Sequence, residues 1–207
     1  MKDSLRKSFI IFDLDGVIFD SKKNMEFAWN TTKKKFGLKV NFSRYFSKIG
    51  MPFLKILKTL KVKPDQKIYK CFRKASFKKI NLIKPYKNVL DEFKYFEKRK
   101  IKFAIVTSKD FRRSRFLLSK FNIKPSSLHC PTKNLRGKPF PDQLLYSLKK
   151  NKIKAKDAWF VGDTKIDYLA ARNAKIKFIF TKYGYGKNNK LYKYKISNFK
   201  QIRKFIE

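Results

Sequence analysis

The stretch Ser8-Phe9-Ile10-Ile11-Phe12-Asp13-Leu14, followed at once by Asp15-Gly16-Val17, decides the fold. A short apolar run closed by carboxylates and a glycine reads as a strand buried on both faces that ends in a tight loop. Outward from it, Asp20-Ser21 offers an N-cap for a helix over 22–36, and Gly37 stops that helix. Phe53, Ile56, Leu57 and Leu60 fall at i, i+3, i+4 and i+7, the stripe of an amphipathic helix. Pro64 suits the start of another helix, running to about residue 80. Residues 21–83 are therefore expected to be all-helical. Beyond Pro85 the texture changes. Helical patterns over 86–99, 110–121, 139–150 and 164–173 alternate with strand-like runs over 101–107, 127–130, 158–161 and 176–180. Alternating strands and helices mean a parallel sheet covered on both faces. The expected fold class is α/β. A Rossmann-like parallel-sheet core over 1–20 and 84–207 carries an all-helical insert, or cap, over 21–83. A last helix is expected over 199–206.

The chain has 207 residues, enough for one large domain or one domain with an insert. With 43% hydrophobic and 16% aromatic residues it can bury a core, so global disorder is excluded. No apolar run reaches the about 18 residues of a membrane span. Residues 1–7 lead into the first strand without a small-residue cleavage site, so no secretory signal is expected. Cys71 and Cys130 make neither a disulfide framework nor a metal knuckle. Together these readings predict a cytoplasmic protein.

Lysine and arginine number 54 against 15 acidic residues, a formal charge of +39. Lysines dominate, and they are spread over nearly every segment. Phe, Ile, Asn and Tyr are also heavily used, and all of these residues have A/T-rich codons. The favoured reading is compositional drift, with lysines on solvated faces. A nucleic-acid surface is the other reading, and lysines clustered beside the catalytic cleft would raise it. On either reading the field attracts anions.

In open parallel sheets, sites form outside the carboxyl ends of the strands. The polar residues gather there: Asp13 and Asp15 after the first strand, Thr107-Ser108-Lys109 after the second, and Gly162-Asp163-Thr164 with Asp167 after a later one. Gly137-Lys138-Pro139 precedes a helix. Carboxylates this close repel one another unless a cation sits among them, and oxygen ligands suit Mg²⁺.

These blocks, in this order, resemble the motif set of the haloacid dehalogenase superfamily of phosphohydrolases. The resemblance spans essentially the whole chain. It points to the branch with a helical cap after the first motif, the group of phosphoglycolate phosphatases and β-phosphoglucomutases. It implies that Asp13 is the nucleophile and carries an aspartyl-phosphate. It implies that Asp15 is the general acid and then the base, with its backbone carbonyl on Mg²⁺. Thr107 and the backbone N–H of Ser108 would hold the phosphoryl group. Lys138, identified by its place in Lys138-Pro139-Phe140-Pro141, would neutralise phosphate charge. Asp163 would ligate Mg²⁺ directly, and Asp167 would do so through water or another ligand.

A carboxylate at position 15 favours phosphoryl-ester chemistry, because family members that cleave carbon–halogen or carbon–phosphorus bonds lack it. The mutases carry an arginine in the cap loop Ile49-Gly50-Met51-Pro52-Phe53, where this chain has Phe53; Lys48 or Lys55 could replace it. The expected function is Mg²⁺-dependent hydrolysis of a small anionic phosphate monoester. The alternatives are a sugar-phosphate mutase and a basic protein acting on polynucleotide ends. Asp20 reads as a cap, Trp29 as insert core and Cys71 as core or boundary. His129 reads as a strand-end residue and Tyr183-Gly184-Tyr185-Gly186 as a turn, with substrate contact as its other reading.

Overall fold

In the computed structural model, which describes residues 8–206, β1 (Phe9–Phe12) is buried along its whole length. The readings made on residues 1–7 lie outside the described residues. The chain then forms a two-residue strand, β2 (Phe19–Asp20), and enters four helices: α1 (Lys22–Phe36), α2 (Phe42–Phe46), α3 (Phe53–Thr59) and α4 (Gln66–Lys78). A 3₁₀ turn, Ile80–Leu82, leads to β3 (Lys84–Pro85), which pairs antiparallel with β2. The two short strands form the neck through which the chain leaves the sheet and returns.

From there helix and strand alternate: α5 (Val89–Lys98), β4 (Phe103–Val106), α6 (Phe111–Lys120), β5 (Ser127–His129), α7 (Asp142–Asn151), β6 (Ala158–Gly162), α8 (Lys165–Asn173), β7 (Lys177–Thr181) and β8 (Tyr194–Ile196). Six parallel strands lie in the order β5-β4-β1-β6-β7-β8. The α/β class and its parallel sheet follow the alternation read in the sequence. The expected helix over 199–206 is instead a 3₁₀ segment, Phe199–Phe205.

Side chains alternate across β1 and divide the core in two. Ile10 and Phe12 face one layer and Phe9 and Ile11 the other. Phe12 packs among Phe93, Phe96, Phe103 and Phe199, with ring centroids 5.4–6.3 Å away. Losing a ring so placed costs about 3–5 kcal/mol. The residue before Asp13 is thus an anchor, and the carboxylate rests on fixed backbone.

The helices between the necks have their own apolar cluster. Trp29 stacks on Tyr45 at 4.2 Å and donates its indole N–H to the Val40 carbonyl. Phe53 and Phe72 join it at 4.7 Å from each other. Trp29 is insert core, as its sequence context indicated. Asp65 caps α4, which begins two residues after Pro64. Among the described residues no helix is long and apolar enough to cross a membrane.

Candidate active site

The central strands β1, β4 and β6 end side by side, so their following loops meet. Asp13 continues β1 by one residue: its N–H donates to the Val161 carbonyl, and the Leu14 N–H donates to its Oδ1 at 2.7 Å. Gly16 turns the chain with φ +86°, and a Cβ there would collide with the Asp163 carboxylate. Only glycine allows the first loop to close against the third motif.

Lys138 is fully buried and lies between two carboxylates. Its Nζ is 2.9 Å from Asp13 Oδ2 and 2.6 Å from Asp167 Oδ1. Burial opposes its charge, but Asp13 and Asp167 outweigh that and hold the ammonium above its ordinary range. Breaking such a pair from one side costs about 3–5 kcal/mol. Asp167 Oδ2 accepts from the N–H and the hydroxyl of Thr164, closing the capping box that starts α8. Both Asp167 oxygens are therefore occupied, which suits the indirect role the resemblance implied.

Asp13, Asp163 and Asp167 each offer an oxygen within 4.8 Å of the others, and all three are buried. Burial pushes the Asp13 carboxyl up to about 7, against the pull of Lys138, and Asp167 adds to the rise. Burial, then Asp167 and Asp13, raise Asp163 well above the carboxylate range. Asp163 Oδ2 accepts the Tyr185 N–H at 2.7 Å, while Oδ1 is buried with no hydrogen-bond partner among the described residues. An orphaned carboxylate oxygen facing two more carboxylates fits a metal site, and an all-oxygen donor set fits a hard divalent cation.

Asp15 sits on the other side of the opening. Its Oδ1 accepts from the Ser21 hydroxyl at 2.5 Å, and its Oδ2 is 3.1 Å from Lys109 Nζ. Thr107 follows β4 directly, with its N–H on the His129 carbonyl, and its hydroxyl accepts the Lys109 N–H at 3.2 Å. Ser108 turns its hydroxyl to the Gly50 carbonyl at 2.7 Å, so this core loop holds the cap loop directly.

Asp13, Asp15, Thr107, Ser108, Lys109 and Asp163 line one cleft of about 50 Å³ between the sheet ends and the helical insert, and Ser21, Lys138 and Asp167 lie outside its lining. Met51 and Phe53 line it from above, and Lys109 and Arg113 supply buried positive charge. Lys48 and Lys55 do not line it, which corrects the expectation that one of them replaces the missing arginine. The Lys55 ammonium lies over the Phe140 ring at 4.7 Å instead. The cleft's cations come from the core side, out of α6 and the loop before it.

Residues 183–186 do form a turn, yet they are also a wall of the site. Besides the Tyr185 N–H on Asp163, the Tyr185 hydroxyl accepts the Ser21 N–H at 2.5 Å. Gly186 passes so close to Asp163 that a Cβ would overlap its backbone oxygen. His129 bonds Ser127 at 3.0 Å and takes no part in the cleft, and Cys71 is half-buried in α4. Sequence reasoning passed over Arg113, placed Lys109 at a strand end without giving it a role, and read Tyr185 as a turn residue. A lysine beside a motif threonine, and two glycines spaced to cross a carboxylate, were the available signals.

The family profile described as haloacid dehalogenase-like hydrolase matches residues 10–181. The chain belongs to the haloacid dehalogenase-like hydrolases. Among curated relatives of this hydrolase, a phosphoglycolate phosphatase of Aquifex aeolicus (strain VF5) is 29% identical over 185 residues, 87% of each chain. A protein of Caldanaerobacter subterraneus subsp. tengcongensis, named as a candidate pyrophosphatase, is 27% identical over 182 residues. That match covers 84% of this chain and 81% of its own. Among solved structures, a haloacid dehalogenase-like family hydrolase of Streptococcus pneumoniae superposes with a TM-score of 0.83 at 20% identity, over 98% of this chain and 99% of that one. That likeness bears on the fold alone.

Proposed function

We propose that this hydrolase cleaves a small phosphate monoester through a covalent intermediate on Asp13, with Mg²⁺ as its cation. The observation that carries the reading is the buried Asp13, bonded to Lys138 and open to a cleft that also holds Asp15 and Thr107. The Asp13 carboxylate attacks phosphorus as the ester P–O bond breaks, and Asp15 gives the leaving alkoxide its proton. Water then attacks the phosphoryl group, Asp15 takes the water's proton, and the Asp13 carboxylate leaves as inorganic phosphate forms. The Thr107 hydroxyl and the Ser108 N–H hold the phosphoryl oxygens, and Lys138 neutralises their charge.

Asp13 and Asp163, with the Asp15 carbonyl, would hold the metal, and Asp167 would orient it through Lys138 and Thr164. When bound, the cation offsets the repulsion between the Asp13 carboxylate and an anionic phosphate. The insert over 21–83 acts as a cap that excludes water. Lys109 and Arg113 favour a leaving group that is itself anionic. The names of the Aquifex and Caldanaerobacter relatives agree with such substrates. Phe53, packed in the cap's apolar cluster, gives no cation for a mutase's second phosphate.

Phosphate release from a panel of monoesters, phosphoglycolate included, with the anhydride pyrophosphate beside them, tests this. Wild-type protein should turn over with Mg²⁺ and stop with EDTA, and Asp13→Asn should lose activity by about 10³-fold or more while remaining folded. Turnover that survives both treatments overturns the reading.

A further inference from the structure

Lysines cover the whole molecule, but the arginines gather. Three of the ten, Arg73, Arg112 and Arg113, line one groove between α4 and the start of α6. Codon drift explains surplus lysine; it does not place arginines. Lys70, Lys74 and Lys78 follow four apart along the same face of α4 and line the groove too. Asp110 is the one carboxylate in its lining, and Arg113 and Arg73 already engage it. Lys70, Lys74, Lys78 and Arg112 are exposed and make no ion pair among the described residues.

Aromatic rings alternate with these charges. The Arg73 guanidinium lies 5.4 Å from the Tyr69 ring centroid and that of Arg112 lies 5.3 Å from Phe77. Phe116, 40% exposed, meets Phe77 edge-on at 5.2 Å. Two other basic hollows lack this pattern: one beside Lys33 and Lys34, one beside Lys100, Lys102, Lys150 and Lys152, neither with an arginine. The α4 face is about 18 Å long, room for a few nucleotides. The groove encloses about 550 Å³ and shares Tyr69 and Arg113 with the 50 Å³ catalytic cleft.

We propose that the α4–α6 groove binds single-stranded nucleic acid. The phosphates lie along Lys70, Lys74, Lys78 and Arg112, and a base stacks at Phe77, since Phe53 already stacks on the Tyr69 ring at 5.1 Å. Cations along a track and π-faces beside it are what sequence-tolerant single-strand binding needs. Binding of this kind is independent of turnover, so its failure leaves the hydrolase reading untouched.

The experiment is fluorescence polarisation of a labelled oligothymidylate of about ten nucleotides. Two triple variants carry the same change of charge: Lys70→Glu/Lys74→Glu/Arg112→Glu in the groove, and Lys34→Glu/Lys35→Glu/Lys39→Glu at the far end of the cap. The groove triple should weaken binding about ten-fold or more and flatten the log–log salt dependence by about two units, and the control should change it by less than about three-fold. Equal losses overturn the proposal, because the molecule's overall charge would then suffice. Phe77→Ala alters no charge and should weaken binding about five-fold or more; unchanged affinity overturns the stacking role. Inorganic polyphosphate is the competitor. Displacement only at a large excess of phosphate units is expected, and displacement at parity overturns the assignment to nucleic acid. Thermal melts of every variant show whether the fold is kept.

Discussion

Lys109 shows what a single buried charge does in this site. It is 5% exposed and pairs with Asp15 across 3.1 Å, while its own backbone N–H is tied to Thr107. Burial lowers its tendency to stay charged, and Asp15 supplies the opposing attraction. Lys109→Met keeps the length of the stem and removes the ammonium, which leaves Asp15 with Ser21 alone. Turnover should fall about ten-fold or more, below the about 10²–10⁴-fold that a general acid contributes in full. Lys109→Arg should recover part of the loss. Steady-state phosphate release beside melting curves measures this, and wild-type kinetics in Lys109→Met would remove the residue from the site. The motif carboxylates, Thr107 and Lys138 were legible because their blocks, in order, resemble the family's motif set. Lys109 was legible as a strand-end residue but its role was not, because that role lies in a contact with a residue ninety-four positions away, and the sequence has lysines everywhere.

Among the elements, the buried strands were the easiest to read and the edge strands the hardest. The run that ends at Asp13 is apolar on both faces, and only a central strand needs that. β8, with three residues at the sheet edge, and the two-residue β2 and β3 carry too little pattern to be seen. The final segment is 3₁₀ rather than the expected α-helix, and Phe199 and Ile202, apolar three apart, fit either helix type. The 183–186 turn is the most consequential of these. Gly186 crosses the backbone of Asp163, so any side chain there must push the two apart. Gly186→Ala should therefore disturb the cation site before it disturbs the core. Saturating Mg²⁺ stabilises a protein that binds it only when folded, by about 2.7 kcal/mol at a hundred-fold excess over Kd. We expect wild-type protein to gain melting temperature with Mg²⁺ and Gly186→Ala to lose most of that gain. A full Mg²⁺ shift in the variant would show that the loop does not shape the site.

For the whole molecule, a charge of +39 raises the question of what keeps like charges from loosening the fold. The few acidic residues are placed where they count. Glu92 is 2% exposed on α5 and receives Arg203 from the final 3₁₀ segment through two bonds, at 2.7 and 3.0 Å. The guanidinium also lies 3.9 Å from the centroid of the Tyr95 ring. This pair seats the end of the chain over Phe93 and Phe96, which in turn pack on Phe12 and so support Asp13. Its two halves are not equivalent. Removing Arg203 leaves a buried carboxylate without its cation, whereas removing the charge of Glu92 leaves a guanidinium whose side chain is 33% exposed and can reach water. Arg203→Met should cost about 1–3 kcal/mol and Glu92→Gln clearly less. Because the carboxylate is buried, the larger loss should persist in high salt, where exposed pairs are screened. Urea midpoints at low and high salt, compared at constant m-value, measure both differences. Equal losses for the two variants, or a loss that salt erases, would make the pair a surface contact and leave the packing of Phe199, Ile202 and Ile206 to hold the final segment in place.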